Sequence, residues 1–118
     1  MGIEAVLIGA ELFCVTFVRD YVQFGFHCKS EDASLSAYTL PKVTVKGKQY
    51  AFADIGYRDA LCGLINQTVE AVSIMAGISI KIKFKNSDEL LIKLTDTEHK
   101  TLVEFAQFQC GDIVQVWN

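Results

Sequence analysis

Few residues of this 118-residue chain have the types and spacing that catalysis requires. The two histidines, His27 and His99, do not lie in a recognisable pattern with a Ser or Cys nucleophile. His27 falls in the polar phase of an alternating stretch, which favours a surface position over a catalytic one. Asp54 and Asp59 are five residues apart, so they do not share a helix face as a general acid and base pair would.

The four cysteines are far apart and form no C-x-x-C pair. No histidine stands at a spacing typical of a zinc site. We therefore expect reduced, free thiols that pack as small apolar side chains at Cys14, Cys28, Cys62 and Cys110. The sequence predicts no metal, no cofactor and no enzymatic activity.

Three lysines alternate with apolar residues in the segment IKIKFK, which begins at Ile80. A row of this kind can follow a phosphate backbone, ideally with aromatic side chains on the same face. No aromatic residue shares the face of Lys81, Lys83 and Lys85, and the net charge is −3. We interpret the lysines as the solvent face of a half-buried strand and expect no nucleic-acid partner.

The N-terminal apolar stretch contains Glu4 and Glu11 and has no basic region before it, unlike a secretory signal. No apolar run approaches the roughly 18 residues that a membrane-spanning helix needs. We expect a cytoplasmic protein without a membrane partner, folded as a single domain over residues 1–118.

A repeat organises the chain. The segment LIGAELFCVTF, which begins at Leu7, returns as LINQTVEAVSI at Leu64, an offset of 57. The strand that follows continues the match at an offset of 56, with Val22 equivalent to Ile78. Alternation and turn signals predict a three-stranded antiparallel meander in residues 7–40 and another in 64–95. The two copies are related by duplication or by convergence on one packing solution.

The predicted register follows from keeping apolar side chains on one face. The third strand of the first copy, residues 34–40, has no decided inward face. The predicted pairs are Phe17 with Val22, Val15 with Phe24 and Phe13 with Phe26, then Ile74 with Ile78, Val72 with Ile80, Phe84 with Leu90, Ile82 with Ile92 and Ile80 with Leu94. The predicted inward faces are Phe13/Val15/Phe17/Val22/Phe24/Phe26 and Val72/Ile74/Ile78/Ile80/Ile82/Phe84.

Between the two copies, a hairpin is predicted with Val43 facing Phe52 and Val45 facing Tyr50. An apolar stripe then predicts a helix over residues 57–65, capped by Asp54 and ended by a left-handed Asn66. A second helix is predicted over 96–107, with strand as the alternative for 101–108, and a last strand over 113–117. The predicted class is α+β and β-dominant, with the two meanders packed as a sandwich or partly open barrel with one or two short helices.

Negative charge is concentrated in the second half of the chain. Residues 1–58 carry six acidic and six basic side chains, whereas residues 59–118 carry eight and five. Carboxylates around an aromatic anchor suit a basic protein partner, because charge speeds encounter and a buried aromatic supplies affinity. The predicted partner contacts are Asp54, Tyr57, Asp59, Glu98, Glu104, Asp112 and Trp117.

The combination of LIG, V-x-F and V-x-F-x-F with LCGLINQTVEAV and ISIKIKFKNSDELLIKL resembles small β-rich bacterial proteins. Several of these are immunity proteins of contact-dependent growth inhibition systems. The chain departs from their pattern at Asn66, where Gly is expected, and at Asn86-Ser87-Asp88, where an Asp-Gly turn is usual.

The resemblance implies a protein without catalytic groups that neutralises a cognate basic toxin domain, such as a nuclease, by stoichiometric binding. Besides the toxin, a second copy of the chain is a candidate partner, which would give a homodimer. The alternatives are a small-molecule-binding β-barrel, a structural or oligomerising module, and an enzyme whose site arises only on folding.

Overall fold

A computed structural model describes residues 2–95 and 104–118 and confirms a β-dominant α+β fold. Among these residues, ten strands and two short helices follow one another along the chain. They are α1 (Ile3–Leu7), β1 (Glu11–Val18), β2 (Tyr21–His27), β3 (Asp32–Ala37), β4 (Lys42–Val45), β5 (Lys48–Tyr50), α2 (Tyr57–Cys62), β6 (Val69–Met75), β7 (Ser79–Phe84), β8 (Glu89–Lys93), β9 (Ala106–Cys110) and β10 (Ile113–Trp117).

The strands form two antiparallel sheets of five strands each. The first sheet has the order β1-β2-β3-β9-β10, and the second has the order β5-β4-β8-β7-β6. Their apolar faces and both helices contribute to one continuous hydrophobic core, so the sheets pack as a sandwich and do not close into a barrel. Each predicted meander is present, and each sheet gains its last two strands from a hairpin.

Each half of the chain gives its hairpin to the sheet of the other half. The hairpin β4–β5 follows the first meander but joins the second sheet, where Val43 pairs with Leu90. The hairpin β9–β10 follows the second meander but joins the first sheet, where Leu35 pairs with Phe108. The order helix, meander, exchanged hairpin therefore occurs twice.

The two sheets meet where β1 and β6 begin, in an arrangement with local two-fold symmetry. An isolated antiparallel bridge joins Glu11 to Thr68, which are equivalent positions 57 residues apart. Matching backbone hydrogen bonds flank it, from Gly9 N to Val69 O at 2.9 Å and from Asn66 N to Leu12 O at 2.8 Å. Gly9 and Asn66 both have left-handed backbones, with φ of +86° and +77°, which confirms the conformation predicted for Asn66. Its predicted role as the end of the helix is wrong, since Gly63 is the C-cap of α2.

The predicted register of the first meander is confirmed near its turn and wrong at its start. Phe17 pairs with Val22 and Val15 with Phe24, but a β-bulge at Phe13 shifts the strand, so that Leu12 takes Phe26 as its partner. The half-exposed Phe13 ring leaves the core and stacks on His27 with centroids 4.0 Å apart. Gly25 makes this possible, because a Cβ there would lie 3.0 Å from the Phe13 ring. In β3, Ala33, Leu35 and Ala37 face inward.

In the second meander, the predicted register is wrong by two residues. Ile74 pairs with Ile80 and Ile82 with Leu90, because the first turn is centred one residue later than predicted and the second turn one residue earlier. Ile78 lies in the first of these turns and is exposed instead of buried. A shift of two leaves every side chain on its predicted face, and Ile80, Ile82 and Phe84 are fully buried. By pairing, Ile82 is the equivalent of Phe24, so the offset in this strand is 58 and not 56.

The middle hairpin turns earlier than predicted. Lys46 and Gly47, with φ of +52° and +81°, form a two-residue turn of the type favoured in hairpins. Val43 therefore pairs with Tyr50, and Phe52 lies beyond the strand in the loop that leads to α2.

Helix α2 starts where the predicted helix does and buries Tyr57, Ala60 and Leu61, but it ends at Cys62. The predicted Asp54 cap is wrong, since Gly56 occupies the N-cap without a side-chain hydrogen bond. Of the predicted helix over 96–107, residues 96–103 lie outside the described residues. Residues 106 and 107 belong to β9, as the strand alternative predicts, and β10 matches the predicted last strand. Within the described ranges, no helix has the length and apolar character needed to cross a membrane.

Candidate interaction surface

The β5–α2 loop, residues 51–56, exposes two large apolar side chains. Ile55 is 98% exposed and Phe52 is 55% exposed. Single exposed apolar residues are ordinary on protein surfaces. Two on one short loop form a protrusion that offers apolar contact to a partner.

The backbone of this loop is held in a defined conformation. Ala51 N donates a hydrogen bond to Asp54 Oδ2 at 2.8 Å, and Asp54 N donates to Ala51 O at 3.0 Å. Ala53 has φ +78° and Gly56 has φ +90°, both in the left-handed region. For Ala53, that conformation costs about 1 kcal/mol or more. The paired hydrogen bonds therefore maintain a strained turn that presents Ile55 to solvent.

Tyr57 supports the loop from the protein interior. Its side chain is buried, and its hydroxyl donates a hydrogen bond to the Pro41 carbonyl oxygen. The Phe52 ring meets the Tyr57 ring edge to face, with centroids 6.2 Å apart. Burial raises the pKa of the Tyr57 phenol above its ordinary value. Tyr57 thus positions the exposed apolar pair, whereas Phe52 and Ile55 supply the surface.

Beside the loop lies an open depression of about 350 Å³. Asp54 and Asp59 line it together with Arg58, so its charged groups are two carboxylates and one guanidinium. The structure therefore brings together three of the predicted contacts, Asp54, Tyr57 and Asp59. The depression is open to solvent, as suits a contact surface for a macromolecule better than an enclosed ligand site.

The other predicted contacts lie on the first sheet or beyond the described residues. Trp117 ends β10, and its carbonyl accepts a hydrogen bond from Phe105 N at 2.7 Å, so Glu104 lies at the same end of the sheet. Burial and the neighbouring Glu104 carboxylate raise the pKa of Tyr38. Asp112 lies in the β9–β10 turn at the opposite end of this hairpin. Glu98 lies outside the described residues.

The outer face of the second sheet is basic. Lys81 and Lys83 point away from the core, which confirms the predicted solvent face of this strand. Glu89 pairs directly with Lys83 and is the one acidic residue on strands β4, β7 and β8. The lysines of this face, on strands β4, β7 and β8, are Lys42, Lys81, Lys83 and Lys93.

Among the residues that the structure describes, His27 and the cysteines are held in surroundings that do not favour a nucleophile. His27 is exposed, as predicted, and its Nδ1 lies 2.7 Å from Asp32 Oδ1. Burial, followed by the nearby Cys110 and Asp32, raises the pKa of the neighbouring Cys28 thiol to about 11, so the thiol is protonated at neutral pH. In residues 2–95 and 104–118, no three His, Cys, Asp or Glu side chains are grouped as a metal site would require.

Sequence reasoning missed Phe52 and Ile55. Phe52 fits the alternation of the preceding strand, which placed it in the predicted hairpin. Ile55 fits neither that alternation nor the helical stripe that starts at Tyr57. An apolar residue outside both patterns has no predicted place in the core, and this could have indicated its exposure. Comparison of the chain with protein-family models, curated proteins and solved structures gives no match.

Proposed function

We propose that this chain is an immunity-type protein that neutralises a basic toxin domain in the cytoplasm by stoichiometric binding. The observation that carries the proposal is the β5–α2 loop, which exposes Phe52 and Ile55 in a held conformation beside Asp54 and Asp59. Neutralisation by binding requires a complementary surface and no catalytic group.

The loop has the two properties that favour tight association. A side chain as exposed as Ile55 gains the most from burial in a partner pocket, because nearly all its surface leaves water. The hydrogen bonds between Ala51 and Asp54 fix the loop before binding, so little conformational entropy is lost in the complex.

Charge orients the partner on this surface. A nuclease must attract phosphate, so the rim of its groove is positively charged and is drawn to carboxylates. The lysine-rich outer face of the second sheet repels such a rim. We expect the toxin to bind through Asp59 and the β5–α2 loop and to avoid that face.

The proposal is tested by expressing the C-terminal region of the protein encoded by the adjacent upstream reading frame, with and without this chain. We expect cell death in the absence of the chain, survival in its presence, and a one-to-one complex on co-purification. If the cells die equally in both cases and the proteins do not co-purify, the immunity proposal is wrong and a ligand-binding role takes its place.

The loop is tested separately with Ile55→Ala, for which Ile78→Ala is the matched control, since Ile78 is an exposed isoleucine in a different turn. Loss of an interface anchor costs about 2 kcal/mol or more, so Ile55→Ala should dissociate about 30-fold faster. Ile78→Ala should not change dissociation. Asp59→Lys should mainly slow association and reduce its salt sensitivity. Equal dissociation rates for the Ile55 and Ile78 variants would show that the toxin does not contact the loop. The predicted residues Glu104, Asp112 and Trp117 would then be the candidate contacts.

A further inference from the structure

Strand β10 presents an unpaired backbone edge among the described residues. It pairs with β9 on one side, and no strand of residues 2–95 or 104–118 pairs with its other side. The Trp117 carbonyl points to β9, where it accepts a hydrogen bond from Phe105 N. Backbone groups of successive residues in an antiparallel strand point to opposite sides. Val114 and Val116 therefore direct two N–H and two C=O groups away from β9.

The other three sheet edges carry features that discourage pairing. Strand β5 occupies the place equivalent to β10 in the second sheet, but it has only three residues and begins with Lys48. Strand β6 has a bulge at the charged Glu70, and β1 has a bulge at Phe13. Charges, bulges and short length are the usual protection of edge strands. Strand β10, Ile-Val-Gln-Val-Trp, has no charge, no proline and no bulge.

We propose that β10 pairs antiparallel with β10 of a second copy of this chain, with the two-fold axis at Gln115. In this register, the Val114 N–H donates to the Val116 carbonyl of the second copy, and the Val116 N–H donates to its Val114 carbonyl. Symmetry repeats both bonds, so four hydrogen bonds satisfy all the free groups of Val114 and Val116. The two first sheets become one continuous sheet of ten strands.

The side chains of β10 are complementary to their own copy. Val114 and Val116 are 54% and 38% exposed on the outer face, and in the dimer each faces the other across the axis. On the opposite face, the partly buried Ile113 faces Trp117 of the second copy. Cross-strand pairs of β-branched and aromatic residues stabilise a sheet, and no like charges meet. The strand offers no charge that would select a basic or an acidic partner, and this favours a second copy.

Sedimentation equilibrium of the whole chain tests the proposal. We expect a concentration-dependent species of twice 13.1 kDa. Val116→Pro removes an N–H that β9 does not use, and an edge strand tolerates proline at such a position. The variant loses two of the four bonds between copies, so dimerisation should weaken about ten-fold or more. Val116→Thr keeps the N–H and the β-branched shape and should dimerise as the natural chain does.

A cross-link fixes the register. In a background in which the exposed Cys62 is replaced by Ser, Gln115→Cys should form a disulfide between copies, because directly opposed residues lie about 4.5 Å apart. Two Val114→Cys chains should not form this disulfide, because Val114 lies opposite Val116 of the second copy and is two residues away from its own equivalent. A natural chain that stays monomeric at every concentration, a Val116→Pro dimer of unchanged strength, or equal cross-linking of both cysteine variants would overturn the proposal.

Discussion

Tyr57 shows how a single buried polar atom contributes to this fold. Its ring fills the core beneath the β5–α2 loop, and its hydroxyl is satisfied by the Pro41 carbonyl. Tyr57→Phe leaves that carbonyl without its partner, which should lower the free energy of unfolding by about 1–3 kcal/mol. Because the raised pKa keeps the folded phenol neutral, stability is intact below the unfolded pKa of roughly 10 and declines above it.

Urea unfolding at a series of pH values measures this effect for the natural chain and for Tyr57→Phe. The natural chain should lose stability between pH 10 and 12 more steeply than the variant, which lacks the titrating group. Parallel curves for the two proteins would contradict the assignment to Tyr57.

The cysteines should differ in reactivity according to their surroundings. All four are unpaired, but Cys62 is exposed and Cys110 is buried. Burial raises the pKa of both the Cys28 and Cys110 thiols, which lowers their thiolate content. Timed alkylation of the folded chain with mass spectrometry should label Cys62 first and Cys28 and Cys110 last. Denatured, non-reduced protein should take four labels, and two or none would show disulfides.

At the scale of elements, Asp88 connects the β7–β8 hairpin to the β4–β5 hairpin by a hydrogen bond. Its buried carboxylate accepts a hydrogen bond from Lys46 N at 3.1 Å and another from Asn86 Nδ2 at 2.9 Å. Lys46 belongs to the turn of the exchanged hairpin β4–β5, whereas Asp88 belongs to the β7–β8 turn. Asp88 therefore links the two halves of the chain within the second sheet.

Asp88→Ala should lower the free energy of unfolding by about 2 kcal/mol, because two charge-assisted hydrogen bonds are lost. Asp88→Asn is the matched control, since its amide oxygen can still accept from Lys46 N. Hydrogen exchange should show a faster Lys46 amide in Asp88→Ala and an unchanged Ile113 amide, which lies in the other exchanged hairpin. Equal acceleration at both positions would indicate a general loss of stability.

The faces that β2 and β7 bury were predictable from sequence, whereas the register of the second meander was not. In β1, Phe13 and Phe17 were predicted to face inward and are exposed. Alternation survives any even shift, so Ile82 is buried although its partner is Leu90 and not Ile92. Register depends on where the chain turns, and the early turn at Lys46-Gly47 requires a positive φ at a lysine, which residue preference does not indicate. The exchange of hairpins was also hidden, because no local pattern specifies which sheet a hairpin joins.

The candidate site was predictable where its residues are close in sequence. Asp54 and Asp59 were expected to act with Tyr57, and one loop and one helix bring the three together. Ile55 was missed, because its exposure follows from the left-handed turn at Ala53, an unfavourable conformation for this residue type. The edge position of Trp117 follows from the exchanged hairpin and could not be inferred from alternation.

At the scale of the whole molecule, the exchange makes the two halves interdependent. Residues 1–55 contain a meander that needs β9–β10, together with a hairpin that needs β8. Alone, each half therefore leaves apolar strand faces and edges unpaired. We expect fragments 1–55 and 56–118 to lack a cooperative thermal transition when separate and to regain one as a one-to-one complex when mixed.

Circular dichroism and size-exclusion chromatography of the separate and mixed fragments measure this. A fragment that unfolds cooperatively as a monomer would show that the exchanged hairpin is dispensable. The uncut chain is the control, since it joins both halves covalently and keeps all paired strands.

The bridge between Glu11 and Thr68 has a consequence for how the two halves can diverge. In an assembly of identical chains, a position on the symmetry axis always meets its own counterpart, so a glutamate there would oppose a glutamate. Because one chain encodes both copies, glutamate faces threonine and the repulsion does not arise. The same independence holds away from the axis. One outer sheet face can accumulate lysines while the strands of the other sheet contain none, and each face is free to evolve without altering its twin.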